Sequence, residues 1–235
     1  MEFETNKNMI ILFIVVLVIS IGATYVTVGF IKNAEVKSLT DNMANIQDTL
    51  NIKDDEINNL KTNGENFTYH ILQSMSLLDV SREIRANGNL YFDYAARIWF
   101  PQEMYEKVIL NCTVAGNYYS DASDKFILAQ DYFMNTKQYT SIGSYLTVLD
   151  LYVNLTKSAY SLSILQYNAT KDISEIAEKL LNESYAGNIS ELLDEFNSTL
   201  AMFDNMNQQG SGQQQDIVDE IEEEYGDFFD PNRRT

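Results

Sequence analysis

The chain has 235 residues, 45% of them hydrophobic, and a formal net charge of −18. No segment is basic: residues 1–65 carry 5 Lys/Arg against 9 Asp/Glu, residues 66–206 carry 9 against 17, and residues 207–235 carry 2 against 8. Without clustered Lys and Arg, nucleic acid is excluded as an expected partner, and the same acidity repels anionic headgroups, so contact with a bilayer has to run through an apolar anchor.

Residues 1–8 form a short N-terminal flank. Residues 9–31 then read MIILFIVVLVISIGATYVTVGFI, with no charge between Lys7 and Lys32. As a helix that run spans roughly 34 Å, enough for a hydrocarbon core of about 30 Å. Cleavage near Ala23 is the competing reading. Glu2 and Glu4 make a poor signal-peptide leader, however, and the apolar run continues past Ala23 to Ile31. The expectation is an uncleaved signal anchor.

Residues 32–63 change to a heptad. Val36, Leu39, Met43, Ile46, Leu50, Lys53, Ile57 and Leu60 follow 3-4 spacing, all aliphatic or Met except Lys53. A narrow stripe of period 3.5 is a coiled-coil seam. Three readings stay open. The stripe zips identical chains into a parallel dimer or trimer through Val36, Leu39, Met43, Ile46, Leu50, Ile57 and Leu60, or it packs on the chain's own domain as a first helix, or it stands as a single exposed helix. Asn63-Gly64 is expected to end this helix.

Residues 64–206 read as an up-and-down bundle, part of an all-α architecture of four to six helices behind the transmembrane helix and the coiled-coil-like stalk. Ile71, Met75, Leu78 and Ile84 mark a first helix, expected to end at Asn87-Gly88, and Pro101 is expected to open the next one. Ala115, Tyr119, Ala122, Phe126, Ala129 and Phe133 alternate small and aromatic residues on one helical face. After a break at Gly143 come Leu146, Leu149, Tyr152, Ala159, Leu162 and Leu165. Asp172 with Glu175 reads as a capping box, and Asn188 with Glu191 as a looser one. These open two shorter helices, separated at Gly187. No 34-residue self-similarity supports a helical repeat array.

Residues 207–235 read as a flexible linker, NQQGSGQQQ, followed by an acidic-aromatic tail. The tail reads as a solvated acidic extension or, with Ile217, Ile221, Tyr225 and Phe228 as candidate anchors, as a segment that docks on a protein partner.

The most specific motif is the sequon Asn-x-Ser/Thr, at Asn66, Asn111, Asn154, Asn168, Asn182, Asn188 and Asn197. It occurs at 7 of the 12 Asn in residues 66–206 and at none of the 11 elsewhere. As a set these are expected glycan acceptors, which puts the domain outside the cytoplasm.

Chemistry finds little footing. The single His70 and the single Cys112 permit neither an intrachain disulfide nor a thiolate zinc site. His70 reads as a partly buried helix residue, Cys112 as a small core hydrophobe, and Trp99 as core. Glu191 and Glu195 lie one turn apart, but no Glu-x-x-His, P-loop, dinucleotide fingerprint or EF-hand loop is present. No cofactor, no metal and no catalytic residue is expected. The functional expectation is a single-pass, membrane-anchored surface glycoprotein with a non-catalytic binding or assembly role. Sequons without disulfides suit an archaeal surface better than an animal one. The alternatives are an extracytoplasmic sensory or ligand-binding domain that works with a partner membrane protein, and a pilin-like filament subunit.

Overall fold

A computed structural model describes residues 2–182 and 184–226, and among these the chain is all-helical with no strand. Four α-helices follow in order: α1 (Glu2–Asp93), α2 (Tyr105–Thr136), α3 (Gly143–Leu181) and α4 (Ile189–Tyr225). A π-helical turn (Tyr94–Trp99) and a 3-10 turn (Phe100–Gln102) link α1 to α2, and a second 3-10 turn (Lys137–Tyr139) precedes α3. The chain divides into two compact units, Met1–Lys61 and Thr62–Thr235.

The first unit is helix throughout its described residues, and every residue from Met9 to Lys61 is exposed in the single chain. It contains a window of mean hydropathy 2.8 near the N-terminus, long and apolar enough to cross a membrane. The hydroxyls in that stretch bond within the helix, Thr24 Oγ1 to the Ser20 carbonyl at 2.8 Å and Thr27 Oγ1 to the Ala23 carbonyl at 2.6 Å. An apolar surround therefore leaves neither hydroxyl proton unsatisfied.

In the second unit each helix runs antiparallel to the next. Tyr119 of α2 meets Asn89 of α1, while Tyr132 meets His70. Phe133 of α2 stacks on Tyr152 of α3 at 4.9 Å, and Gly116 faces Thr170. Gln166 of α3 bonds Asn207 of α4, and Leu162 faces Gly210. Helix α4 closes the set on α1, with Phe203 stacked on Phe92 at 3.7 Å. All six of Ala115, Tyr119, Ala122, Phe126, Ala129 and Phe133 are buried, so the small-aromatic alternation does fill the helix contacts.

Several expected boundaries are absent. Helix α1 continues through Asn63-Gly64 and Asn87-Gly88. At Gly88 the glycine serves close packing instead: the Tyr119 ring occupies the place of its side chain. Pro101 is instead the second residue of the 3-10 turn that begins at Phe100. Glu103 then takes a left-handed conformation (φ 59°), its N–H donating to the Phe100 carbonyl, before α2 begins at Tyr105. Helix α3 runs unbroken past Asp172, because Ile173, Ile176 and Ala177 continue its buried stripe. Asn188 does cap α4, its side chain accepting from the Ser190 N–H. The expected linker at 207–215 is helix within α4, and its Gln214 is buried. The glutamines there have a solvated face, and the missing side chain of Gly210 lets α4 approach Leu162.

Candidate functional site

The heptad of Val36 does not stop with the expected stalk. Counted forward with Val36 at position a, the a and d positions of residues 64–95 are Gly64, Phe67, Ile71, Ser74, Leu78, Ser81, Arg85, Gly88, Phe92 and Ala95. Every buried residue of α1 (Ile71, Ser74, Leu78, Ser81, Gly88 and Phe92) lies on that stripe. In the sequence the 3-4 stripe therefore keeps its phase from Val36 to Phe92. It is covered by α2, α3 and α4 from Phe67 onward, whereas Val36, Leu39, Met43, Ile46, Leu50, Ile57 and Leu60 are each at least 53% exposed in the single chain. Within this unit seven aliphatic or Met side chains in register form an exposed apolar seam.

The core is split by a polar layer that sequence reasoning missed. One apolar cluster gathers Phe92, Phe100, Cys112, Ala115, Ile173, Phe196 and Phe203, and another gathers Ile71, Leu78, Phe126, Phe133, Leu149 and Ile221. Between them Gln166 Nε2 donates to Asn89 Oδ1 at 2.9 Å and to Asn207 Oδ1 at 2.6 Å. Tyr119 Oη donates to the same Asn89 oxygen at 2.8 Å. Arg85 Nη2 donates to Gln214 Oε1 at 3.0 Å. All four helices contribute. The layer is only partly satisfied, since Arg85 Nη1, Gln166 Oε1 and Gln214 Nε2 are buried without a partner. Desolvation, aided by the charge of Arg82, pushes the Arg85 guanidinium down to about 10. The signal was available in sequence: Arg85, Gln166, Asn207 and Gln214 occupy stripe positions where an apolar residue is the norm.

The seven sequon asparagines are all off the core. Asn154, Asn168, Asn182, Asn188 and Asn197 are exposed, and Asn66 and Asn111 are half-buried. Their hydroxyl residues differ more. Thr156, Thr170 and Thr199 are buried, because residues two apart on a helix point about 200° from each other. Asn182 and Asn188 flank the connection between α3 and α4, and each accepts at 3.0 Å from the N–H two residues on.

Two of the expected docking anchors of the tail pack on the chain's own helices. Ile221 is buried and Ile217 half-buried in the same cluster as Ile71 and Phe126, so both are spent on the chain's own core. The Tyr225 side chain and Phe228 lie outside the described residues.

Among the described residues little reactive chemistry is assembled. Burial pushes the Cys112 thiol up to about 12, which keeps it protonated and a poor nucleophile. His70 stacks on Tyr139 and packs beside Tyr69 and Tyr132. Trp99 is half-buried, with the Lys107 ammonium 4.2 Å from its ring centroid. Among the described residues no group of three or more His, Cys, Asp or Glu is placed to hold a metal ion. No family model, curated protein or solved structure matches the chain.

Proposed function

We propose that this chain is a single-pass, membrane-anchored surface glycoprotein whose helical bundle stands outside the cytoplasm and acts in binding or assembly, not catalysis. The observation that carries this reading is the succession of surfaces along the chain. An uncharged stretch at 9–31 is followed by an exposed apolar seam, and then by a packed domain on which every sequon asparagine is at or near the surface. Apolar faces of that kind are covered by lipid in the first case and by protein in the second. Glycan has to sit on solvent, and none of the seven sites would force it into the core.

The test is topology in native cells. Alkaline carbonate should leave the chain in the membrane pellet, protease added to intact cells should degrade the domain, and mass spectrometry should find sugar on sequon asparagines. Release by carbonate, or cleavage only after lysis with no sugar on any Asn, sinks the proposal.

The second reading is an extracytoplasmic ligand-binding domain working with a partner membrane protein. The half-satisfied polar layer favours it, because Arg85 Nη1 and Gln214 Nε2 are two buried donors in need of an acceptor. A screen of small carboxylates by thermal shift tests it. No shift with any of them, in a chain whose Arg85→Met variant responds identically, removes it.

A further inference from the structure

We propose that residues 36–60 form a parallel, in-register coiled coil with a second copy of this chain, and that the coil ends at Gly64. The parallel direction and the approach at Gly22 and Gly29 rest on the membrane-anchored reading: both apolar spans precede the seam, so two copies in one bilayer present it in the same direction.

The occupant of the seam follows from three observations. The first is the unbroken phase of the stripe. A seven-residue repeat drifts by about 20° per heptad on a straight helix, so a stripe held this long belongs to helices that supercoil around a partner. From Phe67 to Ala95 that partner is the chain's own α2, α3 and α4, and from Val36 to Leu60 the same stripe is exposed.

The second observation is that the chain's own flanking charges permit the pairing. In a parallel pair each g residue faces the e residue five positions later on the other helix. Here those pairs are Glu35 with Thr40, Asn42 with Gln47, Thr49 with Asp54, and Glu56 with Lys61. None sets like charges together, and the last sets Glu56 against Lys61 of the other copy. Lys53, the one cation on the seam, already has the Glu56 carboxylate 2.6 Å from its amine, so its stem can lie along the apolar face.

The third observation concerns the two ends. Upstream, the same phase reaches Gly29 and Gly22, and nothing lies within 4 Å of where either would carry a Cβ. Two copies can therefore approach backbone to backbone in the apolar stretch. Downstream, Ile71, Leu78 and Phe92 are buried by the chain's own helices. A second copy cannot follow the stripe there, and the coil has a built-in stop.

Cysteine placement in the full-length protein in its native membrane tests this. Met43→Cys, Leu50→Cys and Ile57→Cys sit on the seam. Asp48→Cys and Asp55→Cys sit on the opposite face. Cys112 is buried and gives little background. Mild oxidation should convert the first three to a species of twice the mass and leave the last two as single chains. Glu56→Lys should reduce the yield at Leu50→Cys, and adding Lys61→Glu should restore it. Equal yields on both faces, no cross-linking at any seam position, or adducts only of some other mass overturn the second copy as the occupant. Failure of the Lys61→Glu rescue overturns the in-register pairing. Carbonate extraction of the same samples keeps the two proposals apart: a chain that washes off the membrane yet still cross-links at the seam removes the anchor and leaves the coil standing.

Discussion

Gly88 of α1 lies against the ring of Tyr119 of α2, so closely that a Cβ at Gly88 would fall 2.7 Å from the Tyr119 Cε1. The ring has no room to retreat, because Tyr119 is fully buried and its hydroxyl is held by Asn89. Gly88→Ala would gain about 1 kcal/mol of helix propensity. Overpacking against a fixed ring costs about 1–3 kcal/mol, and a contact this short belongs at the upper end. The variant is therefore expected to be less stable than wild type in urea denaturation. A higher midpoint with an unchanged slope would show that the two helices can separate at no cost.

Arg85 is expected to behave in the opposite sense from most core substitutions. It holds a buried guanidinium whose one acceptor in the layer is the neutral Gln214, with Nη1 unpartnered, and desolvation pushes its pKa down to about 10. Replacing buried charge by an apolar side chain of similar volume is often neutral or stabilising. Arg85→Met combined with Gln214→Leu removes both half-satisfied partners, and it should raise the thermal midpoint or leave it unchanged. Gln166→Leu should lower it, because Asn207 would lose the Gln166 donor; a lost buried hydrogen bond of this kind costs about 1–3 kcal/mol. The comparison fails if both changes destabilise equally.

Stability should fall in alkali. Burial raises the Cys112 thiol from 9.0 to about 12, and also raises the hydroxyls of Tyr119 and Tyr152. Between the unfolded and folded values the native state keeps protons that the unfolded chain has lost, so stability drops as pH rises through that window. Arg85, with its lowered folded value, acts in the other direction above pH 10, but it is one group against three. A denaturation series from pH 8 upward should therefore show a loss that begins near pH 9, and Cys112→Ala should have a shallower pH dependence than wild type. Identical pH profiles would mean that the thiol is not desolvated in solution.

The helical class and most of the core faces were legible in the sequence, because periodic burial leaves a periodic pattern. The stripe of Ala115 to Phe133 in α2 is the clearest case. Boundaries were less legible. Gly64, Gly88 and Gly210 all read as breaks, yet in each case helix continues. At Gly88 and Gly210 the glycine admits a neighbouring side chain, Tyr119 or Leu162, and nothing local distinguishes that role from a helix stop. The polar layer and the tail were missed for a related reason. Asn207 and Gln214 sit in a run of glutamines that reads as solvated linker, and only its phase relative to Phe196, Phe203 and Ile221 reveals a core face. It follows that truncation after Met206 should remove part of the core and lower the thermal midpoint, rather than trim an idle tail.

The final prediction separates the sequons that a folded domain can offer to a glycosyl transferase from those it cannot. The motif requires both the Asn side chain and a hydroxyl residue two positions on. On a helix those two side chains diverge by about 200°, so an exposed Asn turns its Ser or Thr inward. This is the situation at Asn154, Asn168 and Asn197, whose partners Thr156, Thr170 and Thr199 are buried. Thr156 and Thr170 also donate to carbonyls of their own helix. Core packing is a sufficient reason for these threonines. At Asn182 and Asn188 the side-chain oxygen accepts from the N–H two residues on, and Ser184 and Ser190 are exposed. Asn188 has a competing role as the α4 cap, with its Nδ2 donating to Glu191 Oε1 at 3.1 Å. If transfer follows folding, occupancy measured by glycopeptide mass spectrometry should be highest at Asn182, lower at Asn188, Asn66 and Asn111, and lowest at Asn154, Asn168 and Asn197. Near-complete occupancy of all seven would show that sugar is added to the unfolded chain. Ser184→Ala should abolish modification at Asn182 without changing the thermal midpoint, because the backbone N–H that Asn182 accepts from is unaffected.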